Sequence, residues 1–204
     1  PLRHVEHAAN LNNMYGTGLG MGTALTQGLL YNGMDRLGIA QYLSRIGLIV
    51  DGNSGESLVQ AKQVWMEESI WQGVRKYCET MMVTEDWFEV MLAQDIVLDS
   101  LVYDLIYTQL DAQLADNGAQ DVAMLTEFMQ DWWKDSSRWG DAVLKTAVAE
   151  SAENKALVEE WVNHWRGLAV EALAPLADEM LGDEAMDKAV AALDKRLTKA
   201  GLFK

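Results

Sequence analysis

EDWFEVMLAQDIVLDSLVYDLIYTQLDAQLA, residues 85–115, runs from Glu85 to Ala115 without a glycine or proline. Its apolar residues recur at three- and four-residue intervals, the spacing that lines one face of a helix. Asp116-Asn117-Gly118 follows at once, a sequence that readily adopts the left-handed turn ending a helix. A helix of this length is well beyond the globular mean of about 11–12 residues. It therefore has to pack along neighbours of similar length.

Those neighbours are legible on both sides. Upstream, helical spacing predicts helices over about 2–30, 34–49, 57–68 and 71–82, the third capped by Ser54 or Ser57. Downstream, it predicts helices over about 120–150, 154–180 and 184–199, with Pro175 as a possible kink. Alternation of period two is nearly absent, and no Asn-Gly hairpin sits between β-branched runs. The expected fold class is all-α: an antiparallel bundle of about eight long helices. It is read as one helical domain over 1–204, with a peripheral helical tail at about 182–204.

Composition narrows the function classes. Sixteen Lys and Arg against 31 Asp and Glu leave a formal charge of −15. Such a chain repels phosphate backbones and anionic lipid heads, so nucleic acid and membranes are poor partners. The single Cys78 excludes an internal disulfide framework and fits a reducing cytoplasm. No apolar run reaches the roughly 20 residues of a membrane span. The chain opens Pro1-Leu2-Arg3-His4 inside a helical pattern, and is read as the C-terminal part of a longer subunit.

Most local motifs fail when their chemistry is tested. Gly16-Thr17-Gly18-Leu19-Gly20-Met21-Gly22 imitates a dinucleotide loop, but Met21 and Thr23 stand where a third glycine is needed, and no strand precedes it. Two readings stay open: a helix with Gly16/Gly20 and Gly18/Gly22 pairs for close packing, or a local break. Asp51-Gly52-Asn53-Ser54-Gly55-Glu56 begins like a calcium loop, yet its glycine falls one place early and Lys62 replaces the closing Glu. It reads as a turn.

Three histidines are the candidate metal ligands. His4 and His7 share a helical face with Glu6 beside them, and His164 follows Glu160 by four residues. None forms the Glu-x-x-His pair by which a carboxylate and an imidazole converge on bridged iron between helices. Eight Trp and 11 Met are heavy use for this length and suit large permanent interfaces. Trp132 and Trp133, being adjacent, are expected to point to different helix faces, one toward another element or subunit.

Two segments carry a resemblance. Pro1-Leu2-Arg3-His4-Val5-Glu6-His7-Ala8-Ala9-Asn10-Leu11-Asn12-Asn13-Met14-Tyr15-Gly16 and Gly33-Met34-Asp35-Arg36-Leu37-Gly38-Ile39-Ala40-Gln41-Tyr42-Leu43-Ser44-Arg45 resemble β subunits of bacterial multicomponent di-iron monooxygenases. Phenol hydroxylase is the nearest type and toluene monooxygenase the next. The resemblance implies a ferritin-like fold and a metal-less paralogue of the iron-bearing α subunit.

It also implies where ligands would have stood. Pro1-Leu2-Arg3-His4 matches the first Glu-x-Arg-His motif of α, with Pro1 in place of the bridging carboxylate and His4 retained. Asp99 matches a lone Glu. Ser136-Ser137-Arg138-Trp139 matches the second motif, with Ser136 replacing the carboxylate and Trp139 the imidazole. An indole has no in-plane lone pair, so Trp139 cannot ligate iron, and its bulk is expected to fill the vacated site. No catalytic residue and no metal ligand is therefore expected in this chain.

The family implies partners too. These are α and γ hydroxylase subunits in a dimer of heterotrimers, with a regulatory protein and a reductase binding transiently. The di-iron centre belongs to α, and NADH, FAD and a 2Fe-2S cluster belong to the reductase. The reading from a different class is a stand-alone helical metal-binding protein or enzyme using His4, His7, Glu6 and either Asp99 or Glu160.

Overall fold

The structure, a computed structural model, describes residues 1–203. Among them there is no strand, and with the unbroken run Trp87–Asp116 counted as one, the helices number eight, as expected. The chain divides into two compact units, Pro1–Met91 and Leu92–Lys204.

The first unit contains α1 (Leu2–Leu19), α2 (Thr23–Val50), α3 (Glu56–Glu67), α4 (Ser69–Met81) and α5 (Trp87–Met91). The helix expected over 2–30 is broken, so the local-break reading of the glycine run is the correct one. Gly20 is extended, with φ −64° and ψ 153°, and Gly22 has φ 93°, a conformation that side chains resist. The next helix then starts from the Gly22 carbonyl, which accepts from Leu25 and Thr26 N–H groups at 3.1 and 3.0 Å. No second break falls near residues 31–33, where one was expected.

Close packing does occur, at other glycines. A Cβ on Gly16 would lie 2.9 Å from Leu29 Cδ1, and one on Gly33 only 3.2 Å from Asn13 Cβ. The two glycines, one on each helix, thus let α1 and α2 approach closely. A polar seam runs between them. Asn10 Nδ2 donates to Gly33 O at 2.7 Å and Asn32 Nδ2 to Asn13 Oδ1 at 3.1 Å. Farther from the turn Arg36 Nε meets Glu6 Oε2 at 2.7 Å, with both side chains at most 1% exposed.

The glycine run yields a contrast that a melt can read. Gly18 has open space around it inside α1, so Gly18→Ala should stabilise by about 0.5–1 kcal/mol through regained helix propensity. At Gly20 an added Cβ would sit 2.7 Å from the backbone oxygen of Gly16, which cannot step aside. Gly20→Ala should therefore cost about 1–3 kcal/mol, the range for overpacking. Melting curves of the two variants should move in opposite directions.

The turn at Asp51 behaves as read. Asn53 and Gly55 take positive φ (66° and 83°), Ser54 Oγ accepts from Glu56 N–H, and Asp51 Oδ2 accepts from Ser57 N–H at 2.9 Å. Asp51 thus satisfies a free amide at the start of α3. Along α4, Trp71, Val74, Tyr77, Cys78 and Met81 are buried on one face, which makes Cys78 a core residue.

The second unit opens on a π-helical stretch, Leu92–Leu98, followed by α6 (Asp99–Asp104), a second π stretch, Leu105–Leu110, and α7 (Asp111–Asp116). π turns are usually single bulges, and two in succession are unusual. Their i→i+5 hydrogen bonding brings residues five apart over one another. Side chains use that spacing: Gln94 Nε2 donates to Asp99 Oδ1 at 2.8 Å, and Gln109 Nε2 to Asp104 Oδ2 at 2.6 Å.

Two long helices, α8 (Gln120–Glu150) and α9 (Ala152–Leu181), pack on this core, and α10 (Ala185–Lys199) closes the unit. Ser151 Oγ caps α9 by accepting from Asn154 N–H at 3.0 Å, and Pro175 is accommodated without ending the helix. Val158, Val162, Trp165, Ala169, Leu173 and Leu176 form its buried stripe.

The helix expected as a peripheral tail, α10, buries one face. Ala189, Leu193 and Leu197 are at most 1% exposed, because an amphipathic helix with Ala and Leu on one face buries that face when a groove is offered.

Candidate functional site

Pro1 and His4 belong to the first unit; Asp99, Ser136 and Trp139 belong to the second. His4 is half-buried and stacks on Trp65 with ring centroids 5.6 Å apart, and its Nε2 is buried without a hydrogen-bond partner. His7, one turn along α1, is exposed. The two imidazoles share a face of α1 but meet different surroundings, one against Trp65 and the other toward solvent. Burial, and after it the adjacent Arg3 guanidinium, pushes the His4 pKa down to about 4. Arg3 itself is drawn aside, Nη2 donating to Leu58 O at 3.4 Å.

That shift carries a pH signature. The folded state holds His4 neutral, whereas the unfolded chain protonates it near the ordinary imidazole value of 6.5. Protons thus bind the unfolded state more readily, so stability is complete above about pH 6.5 and declines as pH falls toward 4. Replacing His4 by Phe should keep the stack on Trp65 and flatten that decline in chemical denaturation measured from pH 7.5 to 4.5. An unchanged slope would mean other groups cause it.

In the second unit Asp99 is 1% exposed on α6, and its Oδ1 accepts the Gln94 bond. Ser136 and Trp139 are half-buried on α8, and Arg138 points outward to pair with Asp135 at 3.0 Å. The most deeply packed positions of α8 are Met129, Gly140 and Leu144, so the indole of Trp139 does not occupy the centre of that core. Trp132 and Trp133 both pack against another element, α6. Both reach the same residue, Tyr103, at 5.5 and 5.0 Å, because large adjacent indoles can converge on one ring from neighbouring faces.

The residues present do not fit a di-iron centre. Among the described residues no three His, Cys, Asp or Glu side chains converge as a ligand set. Such a centre takes a Glu from each of two helices and a Glu-x-x-His pair from each of two others. His164, the remaining histidine, is exposed on α9 and lies edge-on to Trp165. Sequence reasoning passed over the buried Glu6–Arg36 pair of the α1–α2 seam and the half-buried Arg196 of the second unit. In sequence Glu6 reads as a neighbour of the histidines and a ligand candidate of the alternative reading, not as the partner of Arg36. The i, i+5 pairs Gln94/Asp99 and Asp104/Gln109 were the one signal that could have located the π turns.

Known proteins place this architecture. The chain is 50% identical over 202 residues to an oxygenase component of phenol 2-monooxygenase from Pseudomonas sp. strain CF600, matching 99% of this chain and 61% of the relative. It is 24% identical over 197 residues to the hydroxylase beta subunit of the toluene-4-monooxygenase system of Ectopseudomonas mendocina, covering 92% of this chain and 59% of that subunit. The crystal structure of xenon-pressurized phenol hydroxylase from Pseudomonas sp. OX1 superposes with a TM-score of 0.96 at 46% identity, over 98% of this chain and 61% of that one. The chain thus spans about three fifths of the length of these relatives. With residues 1–151 of its 204 matched by the model of the methane, phenol and alkene hydroxylases, the chain belongs to that family.

Proposed function

We propose that this chain is a non-catalytic β subunit of the hydroxylase component of a multicomponent phenol or aromatic monooxygenase. The observation that carries the reading is its 50% identity, across nearly its whole length, to a phenol 2-monooxygenase oxygenase component. The ligand-type positions support the word non-catalytic: Pro1, Ser136 and Trp139 offer no carboxylate or imidazole where bridged iron would require them.

In this reading the chain acts as a scaffold for a di-iron α subunit, which hydroxylates the aromatic ring with O₂ and electrons derived from NADH. A γ subunit completes a heterotrimer that pairs into a dimer, and a regulatory protein and a flavin and iron–sulfur reductase dock transiently. The complex works in the cytoplasm. Exposed large apolar side chains support a buried role in an assembly. Tyr31 and Met34 on α2 are 63% and 58% exposed, and Met124 on α8 is 71% exposed.

The test is co-expression with the α and γ subunits of its own system. The chain is expected to elute with them as one large species and to lose solubility when expressed alone. A soluble, cooperatively melting monomer that ignores α would overturn the scaffold reading.

A further inference from the structure

α10 hangs from α9 by Gly182, whose φ of 86° marks a backbone joint. Its apolar face is seated by Leu193 and Leu197, and between them Arg196 reaches inward. Arg196 Nη1 donates to Ser100 Oγ at 2.6 Å and to the backbone oxygens of Ile96 and Asp95 at 3.3 and 3.4 Å. Nη2 donates to Ser137 O at 3.2 Å, and Nε to Asp141 Oδ1 at 2.6 Å. The guanidinium also lies 5.1 Å from the centre of the Trp133 ring.

Its targets on the core helix are concentrated in one place: the π stretch Leu92–Leu98 and Ser100, two residues past it. Carbonyls inside a regular α-helix are committed to amides four residues on and have little need of an outside cation. In the widened π turn they accept a second donor. Ser100 relays the same contact, since its hydroxyl accepts from Arg196 and donates to Ile96 O at 2.6 Å. Gly140 makes the room. A Cβ there would lie 3.2 Å from Ile96 Cδ1 and 3.3 Å from Arg196 Nη2.

We propose that α10 is a strap fastened by Arg196, and that its docking holds Leu92–Leu98 in π register. Loosening the Arg196 contacts, with α10 still seated by Leu193 and Leu197, frees the extra residue of the π turn to move along the helix. Each residue it passes turns by about 100°, the angular step of an α-helix. Asp99 and the Gln94 bond that holds it lie in that path. A surface helix thereby controls the orientation of a buried carboxylate.

The test is hydrogen–deuterium exchange on the full chain in the assembly in which it purifies, comparing wild type with Arg196→Lys and Gly140→Ala. Lysine keeps the charge but not the planar fork that bonds several acceptors at once. Gly140→Ala leaves the arginine in place and crowds it, and the regained helix propensity favours folding. Amides 97–104 should exchange at least tenfold faster in both variants, with amides 185–195 of α10 unchanged within twofold. If Arg196→Lys fails to fold, Gly140→Ala alone decides. Unchanged exchange at 97–104 would overturn the proposal. So would equal acceleration in α10, which would make Arg196 only an anchor of that helix.

Discussion

Replacing Arg36 by Ala is expected to cost about 3–5 kcal/mol of stability, the range for stripping one partner from a buried ion pair. Glu6 would be left fully buried beside α2 with its counter-ion gone. Water cannot reach it, so it must either bear an unscreened charge or take up a proton at a cost. The gross attraction between the two groups is no guide to the size of this loss, because both ions were desolvated to form the pair. A double variant makes that distinction measurable. Glu6→Leu with Arg36→Met replaces both charges by apolar groups of similar volume, and should recover most of the loss. Chemical denaturation followed by circular dichroism reads all three. A double variant as unstable as Arg36→Ala would mean that the pair itself, and not the orphaned charge, accounts for the effect.

The second large effect is expected at Trp165. Its indole is 1% exposed at the middle of the buried stripe of α9. Truncation to Ala removes the transfer energy of the ring and leaves a void that neighbours fill only partly, about 3–5 kcal/mol in all. Trp161 lies one turn earlier and is only half-buried, so Trp161→Ala should cost clearly less. Similar costs for the two would place the core of the second unit elsewhere.

These two sites differ in how far the sequence reveals them. Trp165 falls on a stripe with Val158, Val162 and Ala169, and such spacing is visible in any helical projection. The Glu6–Arg36 pair joins residues thirty apart, and a buried charge looks like a surface charge until its partner is known. The same holds for Arg196, which sits among Lys195, Lys199 and Asp194 in a segment that reads as solvated.

Backbone departures were less legible still. The chain breaks at Gly20–Gly22 and not near Gly33, because both segments carry glycine and only packing decides which one turns. Gly33 stays helical because α1 needs its missing side chain. The first π turn is hidden in the sequence because residues 92–103 are buried without exception, so no solvated face betrays the change of period. The vacated ligand positions are a different case. Spacing alone excluded a Glu-x-x-His pair, but Pro1, Asp99, Ser136 and Trp139 acquired meaning only through the family resemblance.

The most direct measurement is the partition of iron. The chain is to be co-expressed with the α and γ subunits of its system in iron-supplemented cells and purified as the complex. The subunits are then separated under mild conditions and assayed for iron. The scaffold reading predicts iron in α, less than a tenth of an equivalent with this chain, and NADH-dependent hydroxylation of phenol only by the reassembled complex. Two irons retained by this chain alone, or phenol turnover by it without α, would contradict that reading.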